Sequence, residues 1–224
     1  MKIIAFIFPI VLCLVFLGVK ILSPYTYALV IQEDSAIEYA QAAFYFLASI
    51  VSFLTFVVFL RGRLWLHSVL FGVLAFGLLF IFLEEVSWGQ RIFNLELPSF
   101  FAQYNVQQEI SIHNLELIQS KLHNIYILTG AFGAFSWLFM RALSSKGKWY
   151  HVMDFVVPDW FLSSYFLVTF VMYLLLEYIA RPYAGGFLVW RDQEPVELLL
   201  SLGFLFFTLT KYMRSRACLI TASV

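Results

Sequence analysis

Six stretches of this chain are long, apolar and almost free of charged side chains. Each is close to the roughly 20 residues that an α-helix needs to cross the hydrocarbon core of a bilayer. Only 12% of the 224 residues are charged and 62% are hydrophobic, whereas soluble domains carry roughly 25% charged residues. The sequence therefore predicts an all-α fold in which one domain forms a bundle of six transmembrane helices. The predicted spans are 3–22, 37–60, 64–83, 124–143, 159–178 and 196–213.

The basic residues predict which way the bundle faces, because Lys and Arg are enriched in cytoplasmic loops. With the N-terminus inside, nine of the fourteen basic residues are cytoplasmic, and the opposite orientation leaves only five there. The nine are Lys2, Arg61, Arg63, Arg141, Lys146, Lys148, Lys211, Arg214 and Arg216. We therefore expect both termini in the cytoplasm. The first apolar run lacks a small-residue cleavage pattern, so we expect it to remain as a membrane helix.

In that orientation twelve of the fourteen acidic residues fall on the outer side, and only Asp154 and Asp159 fall on the inner side. Acidic residues contribute little to orientation, so topology does not require this bias. Two interpretations are open: a solvated acidic outer surface, or a site built from carboxylates at helix ends.

A short internal repeat places acidic residues before two of the spans. Ser23-Pro24-Tyr25 followed by residues 30–38 precedes the second span, and Arg181-Pro182-Tyr183 followed by residues 189–197 precedes the sixth. Each copy ends in a glutamate, Glu38 or Glu197, that enters the next helix. A carboxylate is favoured at a helix N-terminus by about 0.3–1 kcal/mol, which explains these glutamates without a site. Alternatively, the repeat marks two equivalent helix pairs with a site between them.

The longest connection, residues 84–123, is expected to form an amphipathic or re-entrant outer segment. It begins with Glu84-Glu85-Val86-Ser87-Trp88-Gly89-Gln90-Arg91, and ionisable groups at the edge of a hydrocarbon layer indicate a functional site. Residues 106–123 have helical periodicity, and at roughly 100° per residue their polar side chains share a stripe about 80° wide. The stripe contains Glu109, His113, Glu116, Ser120 and His123.

The spacing of Glu109 and His113, four residues apart, allows both side chains to reach one divalent metal ion. Further ligands would come from Glu38, Glu84 and Glu85. Imidazole with carboxylates suits zinc or iron, and calcium or magnesium fits less well. His123 is about 21 Å from Glu109 along a straight helix and would join only if the helix broke. Alternatively, Glu109 and His113 form a hydrogen-bonded pair on a wetted face, or carry out acid–base chemistry without metal.

Four residues of the 84–91 segment are candidates for further roles. Ser87 is a candidate nucleophile with His113 as its base, or else a hydrogen-bonding residue at a helix end. Gln90 and Arg91 are candidates for binding a phosphate or carboxylate head group, and Arg91 would equally neutralise Glu84 or Glu85. Trp88 is a candidate substrate contact, or an aromatic residue at the membrane interface. Glu85, Glu109 and His113 complete the predicted catalytic set.

Three motifs resemble a bacterial family of polytopic membrane proteins. They are Glu33-Asp34-x-x-Ile37-Glu38, the Glu84–Arg91 segment, and Gln107-x-Glu109-x-x-x-His113-Asn114-Leu115. The likeness covers roughly residues 25–125. It implies a multi-pass protein of the bacterial cytoplasmic (inner) membrane, and it implies no activity.

A fainter likeness is to alkaline ceramidase-like membrane hydrolases, which also have an acidic segment before an early helix and a Ser-Trp pair at the end of a later one. That likeness implies a zinc-dependent lipid hydrolase within the membrane. The chain departs from the pattern because no histidine follows His151, so a pair of late histidine ligands is missing.

The sequence thus predicts a polar Glu/His site facing the outer side, with membrane lipids as partners, and leaves its function open. The leading interpretation is an enzyme, metal-dependent or not, that acts on a lipid or lipid-linked substrate. The alternatives are a cation- or proton-coupled transporter and a non-catalytic subunit of a homo-oligomer or larger membrane complex. The basic residues are too dispersed for nucleic-acid binding.

The metal interpretation predicts that the purified protein contains a divalent metal and that Glu109→Gln and His113→Ala lower the metal content. Elemental analysis of the three proteins measures this directly. Unchanged metal content in both variants would exclude these residues as ligands.

Overall fold

The structure is a computed structural model, and it describes residues 1–32, 35–105, 108–142, 148–179 and 187–222. Over these ranges the fold is all-α, apart from one isolated bridge between Asn105 and Leu115. The predicted fold class is confirmed. Six helical stretches of the described chain are long and apolar enough to cross a membrane. They are Lys2–Leu22, Ala36–Arg61, Trp65–Glu85, Lys121–Ala142, Trp149–Tyr178 and Arg191–Ala217.

The helices are numbered in chain order. They are α1 (Lys2–Leu22), α2 (Pro24–Val30), α3 (Ala36–Arg61), α4 (Trp65–Glu85), α5 (Gln90–Phe93), α6 (Ser99–Tyr104), α7 (Glu116–Ala142), α8 (Lys148–Val156), α9 (Ser163–Tyr178) and α10 (Glu194–Ala222). Single 3-10 turns occupy Ser87–Gly89, Trp160–Leu162 and Trp190–Gln193. The long helices alternate in direction, so α4 ends and α7 begins at the same end of the bundle. We call this the site end.

Two helices begin earlier than hydropathy predicts. Helix α7 begins at Glu116 instead of residue 124, and α10 begins at Glu194 instead of residue 196. Glu, Leu, Lys and Gln are good helix formers, so their polarity lowers hydropathy without preventing a helix. The fifth span differs in another way, because it is interrupted at Pro158. Helix α8 ends before this proline, and a 3-10 turn and then α9 follow it. The residue before a proline is disfavoured in helical conformation.

The long helices pack in a row in which each helix contacts the next: α4, α3, α10, α9 and α7. Helix α3 packs between α4 and α10, and α9 packs between α10 and α7. Helix α1 lies outside the row against α9, and most of its surface is exposed. Helices α4 and α7, at the two ends of the row, do not pack along each other in the described chain.

Two glycines allow α7 and α9 to approach closely. A Cβ atom added at Gly130 would lie 2.6 Å from the backbone nitrogen of Phe170, and one at Gly133 would lie 2.1 Å from the Cγ atom of Phe166. Phe166 is itself buried and packs against α10. Small residues at such contacts are a principal means of packing helices in a membrane, since dispersion forces need close approach.

The opposite end of the bundle is held by a buried cation. Lys211 of α10 is 1% exposed, and its Nζ atom donates to the backbone oxygen of Asp154 at 2.8 Å. It also lies 3.7 Å from the Asp159 carboxylate, and Arg214 pairs with Asp154 at 3.1 Å. These contacts therefore hold the segment between α8 and α9 against the C-terminal half of α10, and they fix where α9 begins.

Gly130→Ala is expected to destabilise the fold, because the added methyl group would press on the backbone of α9, which cannot rotate away. Overpacking of this kind typically costs about 1–3 kcal/mol. Gly77→Ala is the matched control, since no atom lies within 4 Å of a Cβ added there. Thermal unfolding in detergent micelles should give a lower Tm for Gly130→Ala only. Equal Tm values would mean that α7 and α9 are not in close contact.

Candidate functional site

A left-handed turn follows α4 and begins the site. Ser87, Trp88 and Gly89 have φ angles of 47°, 53° and 79°. Positive φ is uncommon for residues other than glycine, and such strain persists only where the surroundings impose it. A Cβ atom at Gly89 would also lie 2.9 Å from the Phe93 ring, so that this exposed ring would have to shift. The turn directs the Trp88 side chain back to Glu84 at the end of α4 and the Ser87 side chain to Glu109 in the loop before α7.

The Glu84 carboxylate, which is buried, links this turn to the loop before α7. Its Oε1 atom accepts a hydrogen bond from the indole nitrogen of Trp88 at 2.6 Å. Its Oε2 atom accepts from the backbone nitrogens of Ile112 and His113 at 2.7 and 2.8 Å, and lies 3.1 Å from Nδ1 of His113. A carboxylate only accepts hydrogen bonds from such groups, so Nδ1 of His113 carries the proton.

These bonds explain why the predicted helix over 106–123 is wrong for residues 108–115. The backbone N–H groups of Ile112 and His113 bind Glu84 instead of a preceding turn of helix. Gln108 has a φ of 60°, and Asn105 donates to the backbone oxygen of Ser111 at 2.8 Å. The loop is therefore irregular and helix α7 begins only at Glu116. The predicted common stripe of polar side chains does not exist; Gln107 lies outside the described residues, as do the side chains of Glu116 and Ser120.

Hydrogen bonds made by three of the predicted site residues hold the loop over residues 108–115 in position. Ser87 donates to the Glu109 carboxylate at 2.6 Å, and both side chains are buried. Gln90 accepts from the backbone nitrogen of Ile110 at 2.6 Å. None of the three lines the cavity described next. The side chain of Arg91 lies outside the described residues, so its predicted head-group contact stays a prediction.

Beneath the loop lies a cavity of about 250 Å³, which we call the site cavity. Every helix of the row contributes to its wall, and so does the loop before α7. Its polar lining consists of Glu38, Glu84, Glu85, His113, Asn114, His123, Tyr126, Thr129, Tyr173, Arg191, Gln193, Glu194 and Glu197, with Tyr45 beside them. Four of the predicted residues, Glu38, Glu84, Glu85 and His113, are therefore brought together, although the sequence stretches that carry them are far apart.

The site cavity concentrates negative charge. Glu85 interacts electrostatically with His113, Glu194 and Glu38, and Glu197 interacts with Glu194 and Glu85. Repulsion between like charges and loss of water both disfavour full ionisation of such a group. Any positive charge that enters the site cavity would therefore stabilise these carboxylates.

His113 supplies a positive charge at the mouth of the site cavity. Its burial would by itself lower the pKa of the imidazole. The hydrogen bond to Glu84 and the negative charges of Glu85, Glu84 and Glu38 outweigh burial and raise the pKa above its usual value of about 6.5. The surroundings of His113 therefore favour its imidazolium form.

The sequence prediction did not include Tyr126 of α7 or Tyr173 of α9, which line the site cavity, and it admitted His123 only if the helix broke. His123 is buried, and its Nδ1 atom lies 2.5 Å from the Glu177 carboxylate. Tyr173 donates a hydrogen bond to Glu197, and Tyr126 stacks on Tyr173 with ring centroids 4.3 Å apart. The break before α7 is what brings His123 to the same cavity as His113.

The internal repeat in the sequence indicated that the beginning of α10 contributes to the site. Both copies end in a glutamate, Glu38 or Glu197, that lies in the first turn of its helix, and both glutamates line the site cavity. Residues 33–34 and 181–183, which also belong to the repeat, lie outside the described residues. The interpretation of a dipole effect alone does not account for the convergence of the two glutamates.

Asp192 holds the 3-10 turn that carries Arg191 and Gln193. One carboxylate oxygen is 2.5 Å from Lys20 Nζ and accepts from the backbone nitrogen of Val189 at 2.8 Å. The other accepts from the Tyr27 hydroxyl at 2.8 Å. Burial, the hydrogen bond and the charge of Asp192 raise the pKa of the Tyr27 phenol, so it stays a donor. The first and last long helices are thus joined beside the site cavity.

The predicted metal ligands are only partly assembled. Both oxygens of Glu84 are engaged by the turn and the loop, and Glu109 is bound to Ser87 outside the site cavity. Across the described ranges, no group of three or more His, Cys, Asp or Glu side chains is arranged to hold a metal ion. The metal centre therefore stays a prediction.

Comparison of the chain with known proteins identifies no similar protein. No family model, curated protein or solved structure matches the chain. The resemblances drawn from sequence motifs therefore stay predictions, and the function has to be argued from the geometry of the site.

The raised pKa of His113 predicts how the site responds to pH. The imidazolium–Glu84 interaction should contribute fully to the free energy of unfolding below about pH 6.5 and be lost as pH rises through the raised pKa of the folded state. Glu84→Gln removes the largest favourable cause and should lower the pKa. NMR titration of ¹⁵N-labelled histidine in micelles measures both midpoints, with His151, which is exposed and distant, as the internal control. A His113 midpoint at or below 6.5 in the unmodified protein would contradict the arrangement.

Proposed function

We propose that this protein is a membrane-embedded enzyme that hydrolyses a lipid or lipid-linked substrate by acid–base catalysis in the site cavity. The observation that carries the proposal is the gathering of Glu85, its neighbouring carboxylates and His113 around one cavity at the end of the transmembrane bundle. Perturbed ionisable groups that share a cleft are the usual mark of a catalytic site.

The site cavity favours an amphipathic substrate. Carboxylates and His113 line one part of its wall, while Phe80, Ile81, Leu122 and Ile125 line another. Phe80 and Ile125 are 44% and 57% exposed, so this apolar wall reaches the outer surface of the bundle, where lipid surrounds the helices. A molecule with a polar head and an apolar tail matches both parts.

The floor of the site cavity favours an enzyme over a transporter. Tyr45, Ala48 and Leu78 form a buried cluster below it, with Phe204 packed against them. The hydroxyl groups deeper on α3 are bound to backbone oxygens: Ser49 to Ala75 at 2.9 Å and Ser52 to Phe71 at 3.0 Å. Carboxylates in a bundle also suit proton or cation translocation, which is the second candidate, but a translocation path would have to cross this apolar layer.

The chemistry follows from the charges. Glu85 accepts a proton from a water molecule in the site cavity, and the resulting hydroxide attacks the substrate. A neighbouring carboxyl group in its acid form, Glu38 or Glu194, donates a proton to the leaving oxygen. His113 and Arg191 stabilise the negative charge that develops in the transition state. Since Ser87 lies outside the site cavity, the proposal uses water as the nucleophile.

We propose the orientation of the protein in the membrane on the basis of the distribution of charged residues. The excess of Lys and Arg at the end opposite the site cavity favours an orientation with both termini in the cytoplasm and the site at the outer face of the bacterial inner membrane. The proposed partners are membrane lipids and further copies of the chain.

Glu85→Gln is expected to abolish acid–base catalysis and lower the turnover rate by about 10²–10⁴-fold. Purified protein in vesicles of bacterial polar lipids is assayed by mass spectrometry for lipids consumed and products formed. Glu96→Gln is the control, because Glu96 is exposed and does not line the site cavity. Turnover by Glu85→Gln at the unmodified rate would overturn the proposal. Proton or sodium flux that depends on Glu85, without lipid turnover, would favour transport.

A further inference from the structure

An apolar groove of about 270 Å³ lies next to the site cavity along the bundle. Leu70, Val73 and Leu74 of α4 form one wall, and Phe132 of α7 lies on the other. We call it the α4–α7 groove. We propose that this groove binds one hydrocarbon chain of a membrane lipid whose amine-bearing head group occupies the site cavity. The inference rests on the proposed function in taking the site cavity as the place where the substrate head group binds.

The groove exists because of the order of helices in the row. Helices α4 and α7 end the row on opposite sides and do not pack along each other in the described chain. The space between them is backed by Phe166 of α9 and Phe207 of α10, both buried. Val73 and Phe132 are 67% and 46% exposed at its rim. The groove is therefore open to the bilayer from the side, where a lipid can enter without leaving the membrane.

The site cavity and the α4–α7 groove adjoin each other. Thr129 and Phe204 line both of them. On α4, the wall of the two runs from Glu84 to Leu70, which is about 21 Å at a rise of about 1.5 Å per residue. One leaflet of the hydrocarbon core is about 15 Å thick, half of about 30 Å. The combined length therefore accommodates a head group and one extended chain.

The charge of the site cavity selects the lipid. Five glutamates line it, with Arg191 and His113 as the cations described above. Even with one of the five in its acid form, as the proposed chemistry requires, the carboxylates outnumber the two cationic side chains, so they would repel a head group with a net negative charge and attract an ammonium group. The phosphate of a zwitterionic lipid would lie on the side of His113 and Arg191. A zwitterionic aminophospholipid is therefore the occupant that fits both the polar and the apolar part.

The test uses photoactivatable lipids and requires no turnover. Full-length protein is placed in vesicles of phosphatidylethanolamine and phosphatidylglycerol that contain a trace of phosphatidylethanolamine with a diazirine either in the middle or at the end of one chain. Cross-linked peptides are mapped by mass spectrometry. We expect the mid-chain probe to label α7 near Thr129 and Phe132, and the chain-end probe to label nearer Leu70 and Phe155. The same diazirine on phosphatidylglycerol should label the groove more weakly.

Val73→Trp fills the groove and should lower this labelling by about fivefold or more, since a steric penalty of about 1 kcal/mol already has that effect. Phe76→Trp is the matched control, because Phe76 is similarly exposed on the same helix but does not line the groove. The depth order of the two probes in the unmodified protein is a separate readout that needs no variant.

Labels spread evenly over the lipid-facing helices, or the same depth for both probes, would overturn the binding of a chain in the groove. Equal labelling by the two head groups would overturn the aminophospholipid. These failures are distinguishable from failure of the proposed function. Turnover that survives Glu85→Gln would overturn the enzyme but leave the labelling pattern intact, whereas loss of the pattern would leave the effect of Glu85→Gln on turnover unchanged.

Discussion

The site depends on the hydrogen bonds that converge on the Glu84 carboxylate. They join the end of α4, the strained turn at 87–89 and the loop before α7. A buried carboxylate would be very unfavourable without such partners, so the loop and the carboxylate stabilise each other. Removal of either partner would leave donors or acceptors unsatisfied in a poorly solvated place. The arrangement also fixes the position of the adjacent Glu85, which faces the site cavity and is the residue on which the proposed chemistry depends.

The two neighbouring glutamates therefore have different surroundings although they are adjacent in the sequence. Glu84 is satisfied by donors from the turn and the loop, whereas Glu85 faces other carboxylates and His113. Environment sets the role of an acid more than its type does. Glu109 differs from Glu194 and Glu197 in the same respect. Glu109 accepts a hydrogen bond from Ser87 outside the site cavity, whereas Glu194 and Glu197 line the site cavity.

The fold was largely predictable because hydropathy registers the cost of placing polar groups in lipid. The site was predictable in part. Glu38 and Glu85 were recognised as unusual from their position at helix ends, whereas Glu109 and His113 were grouped by helical periodicity over residues that are not helical. Periodicity cannot detect a distant carboxylate such as Glu84 that competes for backbone N–H groups. Nor can a single sequence show that α9 delivers Tyr173 to the same cavity, because that depends on the order in which the helices pack.

The order of the helices along the chain has a consequence for how the protein is made. Helix α3 carries Gln41, which is fully buried and donates to the backbone oxygen of Glu194 in the last helix. During synthesis α3 leaves the ribosome long before α10, so this amide waits in the membrane without its final acceptor. The same holds for Lys20 until Asp192 emerges. Both contacts, and with them the wall of the site cavity, can be completed only when the last segment is inserted.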